Sequence, residues 1–253
     1  MKISIITVVW NNNKTIKNAI DSVLSQTYKN IEYIVIDGAS SDGTVEIVQS
    51  YGDKINTFVS EKDKGIYDAM NKGIALATGN VIGILNSDDF YASNTIVAEV
   101  MNEFKAKSVD SVYGDLVYVN SEDTNKIVRY WKSQTFNEKL FKKGWHPAHP
   151  TFFVKKEIYD KYGSFNLDFK IAADYELMLR FLEKEKITSS YIPKVFVKMR
   201  IGGESNQSLK NIIQANLESY AAWKKNELYI NSFVFLLKPL SKIKQYYNKR
   251  SQL

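Results

Sequence analysis

The sequence contains no cysteine, only two histidines and only four prolines among its 253 residues. The lack of cysteine excludes disulfides and thiolate metal sites, and it agrees with a reducing compartment. No uncharged apolar run reaches the roughly 18 residues that a membrane span requires. The apolar stretch before Asn11 is short and has no small-residue cleavage site, which predicts a first strand and not a signal peptide. We therefore expect a cytoplasmic protein.

Positive charge is unevenly distributed along the chain. The formal net charge is +6, and residues 228–253 contribute five basic residues and no acidic one. Residues 1–227 therefore carry a net charge of only +1, which argues against a nucleic-acid-binding surface. Two interpretations of the segment 228–253 stay open. It lies as an amphipathic tail on the inner face of the plasma membrane, or it packs on the body as a helix with a solvated basic end.

Strands and helices alternate through the first half of the sequence. The predicted strands are Lys2–Trp10, Ile31–Asp37, Thr57–Ser60 and a fourth that begins at Val81. Helical spacing of apolar residues predicts helices near residues 16–24, 45–51, 66–77 and 94–107, and it assigns Ile66, Met70 and Ile74 to the core. The alternation predicts an α/β protein with a Rossmann-like, mostly parallel central sheet.

The second half of the sequence is less regular. Strands are predicted at Ser111–Val119, Thr151–Val154 and Tyr191–Met199, and helices at Ala173–Glu183 and Lys210–Lys225. There is no internal repeat and no obvious linker. We expect one domain over residues 1–227, with halves at 1–107 and 108–227 and a mixed topology in the second, followed by the tail.

The stretch Val81–Asp89 is a buried-looking apolar strand that ends abruptly in Asn86, Ser87, Asp88 and Asp89. Open α/β sheets bind ligands just beyond the carboxyl ends of their strands. Two adjacent carboxylates at that place repel each other unless a cation or hydrogen-bond donors offset them, and oxygen ligands of this kind suit Mg²⁺ or Mn²⁺. The alternative is an aspartate that caps the following helix.

Asp37 ends the second strand as Asp88 ends the fourth, so the two carboxylates are expected at the same edge of the sheet. An acid at this place commonly accepts hydrogen bonds from a ribose hydroxyl or a base N–H, and the alternative is a turn residue before Gly38. The loop from Gly38 to Thr44 matches neither a Walker A nor a GxGxxG pattern. A nucleotide bound here would therefore be held mainly by acids and metal.

The sequence resembles glycosyltransferase family 2 in three stretches, which occur in the expected order: SIITVVWNN, YIVIDGASSDGT and SEKDKGIYDAMNKGIALATGNVIGILNSDD. The resemblance covers roughly residues 1–205. It implies a GT-A fold that binds a nucleotide sugar, and many members of the family build bacterial surface polysaccharides.

The resemblance implies a role for several of the residues above. Thr7 and Asp37 match positions that contact the nucleoside, typically uridine. Asn86, Ser87 and Asp88 occupy the place of the family's Asp-x-Asp signature, so that Asp88 would bind the metal, Mn²⁺ or Mg²⁺, which bridges to the diphosphate. Asp89 would support it. Asn86 replaces the first aspartate of the signature, which weakens a direct role in metal binding.

Two further loops match the family's donor site. Asp63 and Lys64 would lie before a helix whose N-terminus favours a diphosphate, and the alternative is a surface loop. Arg200, Gly202, Gly203 and Ser205 resemble the loop that closes over the donor.

Asp174 matches the family's general base at the start of a helix, although Ala173 replaces the acid that often precedes it. The alternative is a helix N-cap. Of the two histidines in WHPAHP, His149 is the better candidate for donor binding, while the role of His146 stays open.

Together these features predict an inverting, metal-dependent glycosyltransferase. The donor would be a nucleotide diphosphate sugar, with UDP expected from the resemblance, and the acceptor a saccharide or a polyprenyl-diphosphate-linked molecule. A non-catalytic nucleotide-binding relative is one alternative. A sugar-phosphate nucleotidylyltransferase is another, although residues 7–14 lack the glycine-rich signature of that class. No nucleic-acid partner is expected.

Overall fold

A computed structural model describes residues 1–202 and 209–230 of the chain. Its strands are β1 (Ile3–Val9), β2 (Ile31–Asp37), β3 (Thr57–Ser60), β4 (Val81–Ile84), β5 (Asp89–Tyr91), β6 (Ser111–Val119), β7 (Ile127–Trp131), β8 (Phe153–Lys155) and β9 (Ser189–Arg200). Its helices are α1 (Ile16–Leu24), α2 (Thr44–Gln49), α3 (Ile66–Leu76), α4 (Ile96–Ala106), α5 (Lys156–Tyr162), α6 (Ala173–Leu179) and α7 (Leu209–Lys225). Within these described residues, no helix is long and apolar enough to cross a membrane.

The strands form one sheet in the order β3-β2-β1-β4-β8-β6-β9-β5, with β7 paired to β6. β1, β2, β3 and β4 are mutually parallel, and β6 and β9 are parallel to each other. β8, β7 and β5 run antiparallel to their neighbours. This topology confirms the predicted α/β fold with a mostly parallel sheet and a mixed second half.

Apolar side chains cover both faces of the sheet because its central strands alternate between two cores. Ile6 and Ile36 pack on one face with Met70 of α3, while Ile5 and Val35 pack on the other with helices α1 and α4. β1 is buried along its whole length, which explains why it is an almost continuous apolar run.

The parallel arrangement brings the carboxyl ends of several strands to one edge of the sheet. Asp37 at the end of β2 is in register with Val9 at the end of β1, and Ile84 at the end of β4 is in register with Ile6. The loops that follow these strands therefore meet, and polar residues fill them. This edge is where a ligand site is expected in such a sheet.

Three elements of the structure were not predicted: β5, β7 and α5. The expected helix Ala173–Glu183 instead changes at Arg180 to a π-helical segment, Arg180–Lys184. Ile66 is 42% exposed, so its assignment to the core was wrong, whereas Met70 and Ile74 are buried as predicted.

The strand expected at Thr151–Val154 begins only at Phe153. Thr151 lies in a preceding 3-10 turn, where its hydroxyl donates to the carbonyl oxygens of Ala148 and Gly114. Most of the predicted tail, residues 231–253, lies outside the described residues, as do Gly203 and Ser205.

Candidate active site

The turn after β4 carries the paired acids. The chain turns from Asn86, whose carbonyl accepts the main-chain N–H of Asp89 at 3.1 Å, and Asp89 then starts β5. β5 pairs antiparallel with β9, with Asp89 opposite Met199. Helix α4 begins later and is capped at Thr95, so neither Asp88 nor Asp89 is the helix cap that was the alternative interpretation.

Pairing of β5 with β9 places Arg200 beside the two acids. Its Nη1 donates to the main-chain oxygen of Asp88 at 2.6 Å, and its guanidinium lies 4.9 Å from the ring centroid of Phe90. The hydrogen bond goes to the main chain, so the charge of Arg200 lowers the pKa of Asp88 and Asp89 from a distance and forms no direct ion pair with either carboxylate. The structure thus brings Arg200 beside Asp88.

The acids themselves are poorly compensated. Burial raises the pKa of Asp88, although the Arg200 charge opposes this shift. Burial, and then the neighbouring charge of Asp88, raise the pKa of Asp89 well above its usual range. Asp89 is completely buried, and its Oδ1 and the Oδ1 of Asn86 find no hydrogen-bond donor among the described residues.

Asp37, in contrast, is fully buried and fully satisfied. Its carboxylate accepts the N–H of Ser40 at 2.9 Å and the hydroxyls of Ser40 and Ser60 at 2.5 and 2.6 Å. These hydrogen bonds show that Asp37 organises the loop after β2.

Thr7 is also buried, inside β1, where its hydroxyl accepts a hydrogen bond from Tyr33 at 3.0 Å. Thr7 therefore has no exposed surface, as is also true of Asp37 and Asp89.

Asparagine residues of the loop after β1 join it to two neighbouring loops. Asn11 accepts from Ser41 N–H at 2.8 Å and donates its own N–H to Ser40 at 2.7 Å. Asn12 donates to Ser87 Oγ at 2.9 Å and thereby reaches the turn that carries Asp88. The network holds the loops after β1, β2 and β4 in one arrangement.

The same loops contain residues in the left-handed region of backbone conformation. Asn11 has φ +45° and Ala39 has φ +63°. Asparagine tolerates this region, but for alanine it costs on the order of 1 kcal/mol. Such strain persists where surrounding contacts fix the backbone, and it concentrates at functional sites.

Asp63 lies against the loop that follows β2. A Cβ atom added to Gly38 would sit 2.6 Å from Asp63 Oδ2, so a larger residue at position 38 would displace the Asp63 side chain. Asp63 Oδ1 accepts the N–H of Gly65 at 2.8 Å, just before α3 begins. The side chain of Lys64 is exposed, and its main-chain N–H donates to Asp68 at 3.0 Å.

Asp174 reaches this region through a tyrosine of α3. The hydroxyl of Tyr67 lies 3.2 Å from Asp174 Oδ1 and 2.8 Å from the main-chain oxygen of Ile171. The N–H of Tyr175 also donates to Asp174 Oδ1, at 2.8 Å. Ala172 occupies the N-cap position of helix α6, so Asp174 is not the N-cap that was the alternative interpretation. Tyr67 stands in the first turn of α3, which places Asp174 near the carboxyl edge of the sheet.

Glu176, the other acid in the first turn of α6, is engaged elsewhere. Its carboxylate accepts from Arg180 Nε at 3.0 Å and from Asn226 at 2.9 Å, and its side chain is buried. Of the two acids, Asp174 is the one that contacts Tyr67.

The two histidines have different surroundings. His149 packs edge-on against Phe165, with ring centroids 5.3 Å apart, and Phe165 stacks on Tyr67. Burial lowers the pKa of His149, although the charge of Asp174 opposes the shift. His146 packs against aromatic rings, among them Trp131 and Tyr175, each at a centroid distance of 5.2 Å. His149 therefore belongs to the Asp174 region, and His146 to an aromatic cluster.

Comparison with known proteins identifies the family. The sequence matches the family model described as "Glycosyl transferase family 2" over residues 4–163, more than half of the chain. The chain belongs to glycosyl transferase family 2. This confirms the resemblance that the motifs indicated.

Named relatives agree with this family. A "PGL/p-HBAD biosynthesis glycosyltransferase" of Mycobacterium bovis (strain BCG / Pasteur 1173P2) is 29% identical over 210 residues, which are 80% of this chain and 78% of that protein. An uncharacterized glycosyltransferase of Rickettsia typhi is 32% identical over 227 residues, which are 87% of this chain and 69% of that protein.

Solved structures share the fold of the transferase. S. aureus TarS 1-349 in complex with UDP-GlcNAc superposes with a TM-score of 0.70 at 16% identity, covering 100% of this chain and 77% of that one. The mannosyltransferase PcManGT from Pyrobaculum calidifontis, in complex with GDP-Man and Mn²⁺, gives a TM-score of 0.65 at 17% identity, covering 98% and 70%. The likeness confirms the predicted GT-A fold.

The turn after β4 is rich in oxygen acceptors. No group of three or more histidine, cysteine, aspartate or glutamate side chains that could hold a metal occurs in the described part of the chain. Asp88 and Asp89 bring two carboxylates to this turn, Asn86 brings an amide oxygen, and the Oδ1 atoms of Asn86 and Asp89 have no donor among the described residues. This donor set fits a hard divalent cation that is bound by few carboxylates and completed by substrate phosphates.

Sequence analysis missed several residues of the family 2 site. Tyr67 lies within a motif that was recognised, but its contact with Asp174 joins residues 107 positions apart. The three consecutive asparagines after β1 were visible as a cluster, and their number was a signal beyond a simple turn. Nothing local indicated that β5 and β9 would bring Arg200 to Asp88.

Proposed function

We propose that this family 2 transferase moves a sugar, with inversion, from a nucleotide diphosphate sugar to an acceptor hydroxyl. The observation that carries the proposal is the presence of two different acidic sites at one edge of the sheet. Asp88 and Asp89 form a poorly compensated pair after β4, and Asp174 is held separately by Tyr67. One site suits a cation with a diphosphate, and the other suits proton transfer.

The donor is proposed to be a UDP-sugar. Two proteins of the same fold were solved with UDP-GlcNAc and with GDP-Man and Mn²⁺, which supports a nucleotide sugar as the class of donor. Asp37 would contact the nucleoside, with Thr7 behind it in β1. The hydroxyls of Ser40 and Ser60 now donate hydrogen bonds to the Asp37 carboxylate. A nucleoside that contacts Asp37 would have to share this carboxylate with them or replace these hydrogen bonds.

The diphosphate would lie between the turn after β4 and the start of α3. Mn²⁺ or Mg²⁺, held by Asp88 with Asn86 and Asp89 in support, would offset the charge of the departing diphosphate. Arg200 stands beside Asp88 as a fixed positive charge, and Lys64 is an exposed one near Asp63. Buried His149 would contact the donor as a neutral hydrogen-bonding group, since burial lowers its pKa.

Asp174 is proposed as the general base. As the acceptor oxygen forms its bond to the anomeric carbon, Asp174 takes the hydroxyl proton and the bond from that carbon to the diphosphate breaks. A single displacement of this kind inverts the configuration. Tyr67 and the N–H of Tyr175 orient the carboxylate through its Oδ1 atom. The Oδ2 atom accepts no hydrogen bond from the described residues.

The acceptor is proposed to be a saccharide or a polyprenyl-diphosphate-linked molecule of cell-surface polysaccharide synthesis. The named mycobacterial relatives, which are glycosyltransferases of PGL/p-HBAD biosynthesis, support a biosynthetic role for the transfer. The basic segment 228–253 would bring the enzyme to an anionic membrane surface, at about 1 kcal/mol for each basic residue near it.

Calorimetry tests the proposal. The purified protein is titrated with UDP, GDP and dTDP, each with and without Mn²⁺. We expect UDP to bind, and to bind more tightly when Mn²⁺ is present. If GDP or dTDP binds instead, the nucleotide assignment changes but the site stands. If none of them binds to the folded protein, the catalytic proposal fails in favour of a non-catalytic member of the fold.

A further inference from the structure

Helix α7 holds the start of α6 through side-chain hydrogen bonds. Trp223 Nε1 donates to the hydroxyl of Tyr175 at 2.9 Å, and Asn226 donates to Glu176 at 2.9 Å. The first contact comes from α7 and the second from the residue just after it, and both hold the first turn of α6. Another side chain of α7, Glu218, reaches the segment just before α6.

Glu218 binds main-chain groups at the point where α6 begins. Its Oε2 accepts the N–H of Ile171 at 2.8 Å and the N–H of Ala172 at 2.9 Å, while its Oε1 accepts Gln214 Nε2 at 3.0 Å. The side chain is 7% exposed. Burial opposes its charge, but the hydrogen bonds from Gln214 and from the two main-chain N–H groups outweigh burial and lower the pKa of Glu218. Its carboxylate is therefore ionised at neutral pH.

The two residues that Glu218 fixes lead directly to Asp174. Ala172 is the N-cap of α6, two positions before Asp174. The main-chain oxygen of Ile171 lies 2.8 Å from the Tyr67 hydroxyl that also approaches Asp174. The segment 171–172 is thus held by Glu218 from one side and by Tyr67 from the other. Displacing it would move the N-terminus of α6 and the contact between Tyr67 and Asp174 together.

We propose that Glu218 is a positioning residue for the reaction, which holds the segment 171–172 so that Asp174 faces the acceptor. The inference rests on the proposed role of Asp174 as the base. Glu218 itself touches neither substrate. Its loss is expected to lower kcat without changing the affinity for the nucleotide, because the donor contacts lie on other loops.

Three variants separate positioning from simple stability. Glu218→Ala removes all three hydrogen bonds. Glu218→Gln keeps an oxygen that accepts the two main-chain N–H groups. Its amide nitrogen can donate to the side-chain oxygen of Gln214 once the Gln214 amide has flipped. Gln214→Ala is the matched control, because it removes the bond to Oε1 on the same helix and leaves both main-chain bonds in place.

Hydrogen exchange measures the position of the segment without any substrate. In Glu218→Ala we expect the amides of Ile171 and Ala172 to exchange at least about tenfold faster than in the wild-type protein, since they lose their acceptor. Glu218→Gln and Gln214→Ala should stay within about threefold of wild type. Unchanged exchange at these amides in Glu218→Ala would overturn the proposal, whatever the thermal stability of the variant.

Turnover supplies the second readout. It is measured as the release of UDP from UDP-GlcNAc in the presence of Mn²⁺ at 25 °C, and the affinity for UDP is measured on the same variants. We expect kcat to fall about tenfold in Glu218→Ala, to recover in Glu218→Gln, and the affinity for UDP to stay unchanged. A kcat within twofold of wild type in folded Glu218→Ala would contradict the positioning role. Asp174→Asn in the same assay distinguishes the two claims: if that variant keeps full turnover, the proposed base is wrong, not only its positioning.

Discussion

The two acidic regions of the transferase are built in opposite ways. At the end of β4, Asp88 is half-buried, and the adjacent Asp89 is fully buried with one carboxylate oxygen that has no donor among the described residues. Burial raises the pKa of both. At the start of α6, Asp174 stands alone and receives a main-chain N–H and approaches a tyrosine hydroxyl. In the first region the charge of Arg200 does not offset the effect of burial, whereas in the second the carboxylate is already oriented by its own neighbours.

The difference indicates what each region requires for activity. An uncompensated pair of carboxylates is costly in a folded protein unless a cation joins it, so that region gains from binding a metal with its substrate. An oriented single carboxylate needs nothing further except a proton donor. The predictions below change one region at a time.

The largest effect is expected from Asp174→Asn. Because an amide cannot take the proton of the acceptor hydroxyl, turnover should fall by about 100-fold or more. UDP affinity in the presence of Mn²⁺ should remain within about twofold of wild type, since the change lies outside the donor site. Steady-state kinetics and calorimetry on the same preparation check both expectations. A variant with normal turnover would exclude Asp174 as the base.

Asp88→Asn should abolish the advantage that Mn²⁺ gives to UDP binding. With saturating Mn²⁺ we expect UDP to bind about tenfold or more weakly than to the wild-type protein, because a carboxylate that offsets the cation charge is lost. Without metal, the affinity should be similar in both proteins. Equilibrium dialysis with labelled UDP gives the two constants, and an undiminished effect of Mn²⁺ would place the cation elsewhere.

Tyr67→Phe tests the orientation of Asp174. The ring should keep its stack on Phe165, whose centroid lies 5.4 Å away, while the hydroxyl that serves Ile171 and Asp174 is lost. We expect kcat to fall about tenfold and UDP affinity to stay constant. If kcat is unchanged, the contact of 3.2 Å is incidental to catalysis.

The smallest effect concerns stability, and its sign differs between two buried acids. Because the pKa of Asp89 is raised on folding, the folded state binds more protons than the unfolded state between the two pKa values, and stability falls as the pH rises through that window. Asp89→Asn in metal-free buffer at pH 7.5 should therefore raise the Tm by about 2–4 °C, equivalent to about 1 kcal/mol.

The control for this change is Asp37→Asn, which should lower the Tm because the Asp37 carboxylate is satisfied by three hydrogen bonds. The gain from Asp89→Asn should shrink at acidic pH, where Asp89 is protonated in both states. Thermal unfolding at several pH values measures both. A lower Tm for Asp89→Asn at pH 7.5 would show that Asp89 is compensated after all.

Local pattern was sufficient to predict the parallel part of the fold. β2 and β6 have the predicted bounds, Ile31–Asp37 and Ser111–Val119, because buried interior strands are continuous apolar runs between polar loops. β5 was not predicted, since its three residues become a strand only through pairing with β9, more than a hundred positions later. No local signal announces such a pairing.

In the candidate site, too, local patterns could be predicted and contacts between distant residues could not. Asp37, Asp88 and Asp174 were found because strand ends and family motifs mark them. The contacts that distinguish these carboxylates were not predicted, because Tyr67, Arg200 and Glu218 contact residues that are far away in the sequence. Which carboxylate is satisfied and which is not depends on burial and partners, and only the folded chain shows these.

Electron paramagnetic resonance of Mn²⁺ tests the central contrast most directly. The wild-type protein, Asp88→Asn and Asp174→Asn are each mixed with Mn²⁺, with and without UDP, and the free-ion signal is measured. We predict that UDP makes the wild-type protein and Asp174→Asn take up Mn²⁺, and that Asp88→Asn takes up much less. Equal uptake by Asp88→Asn, or loss of uptake in Asp174→Asn, would contradict the assignment of the two acidic regions.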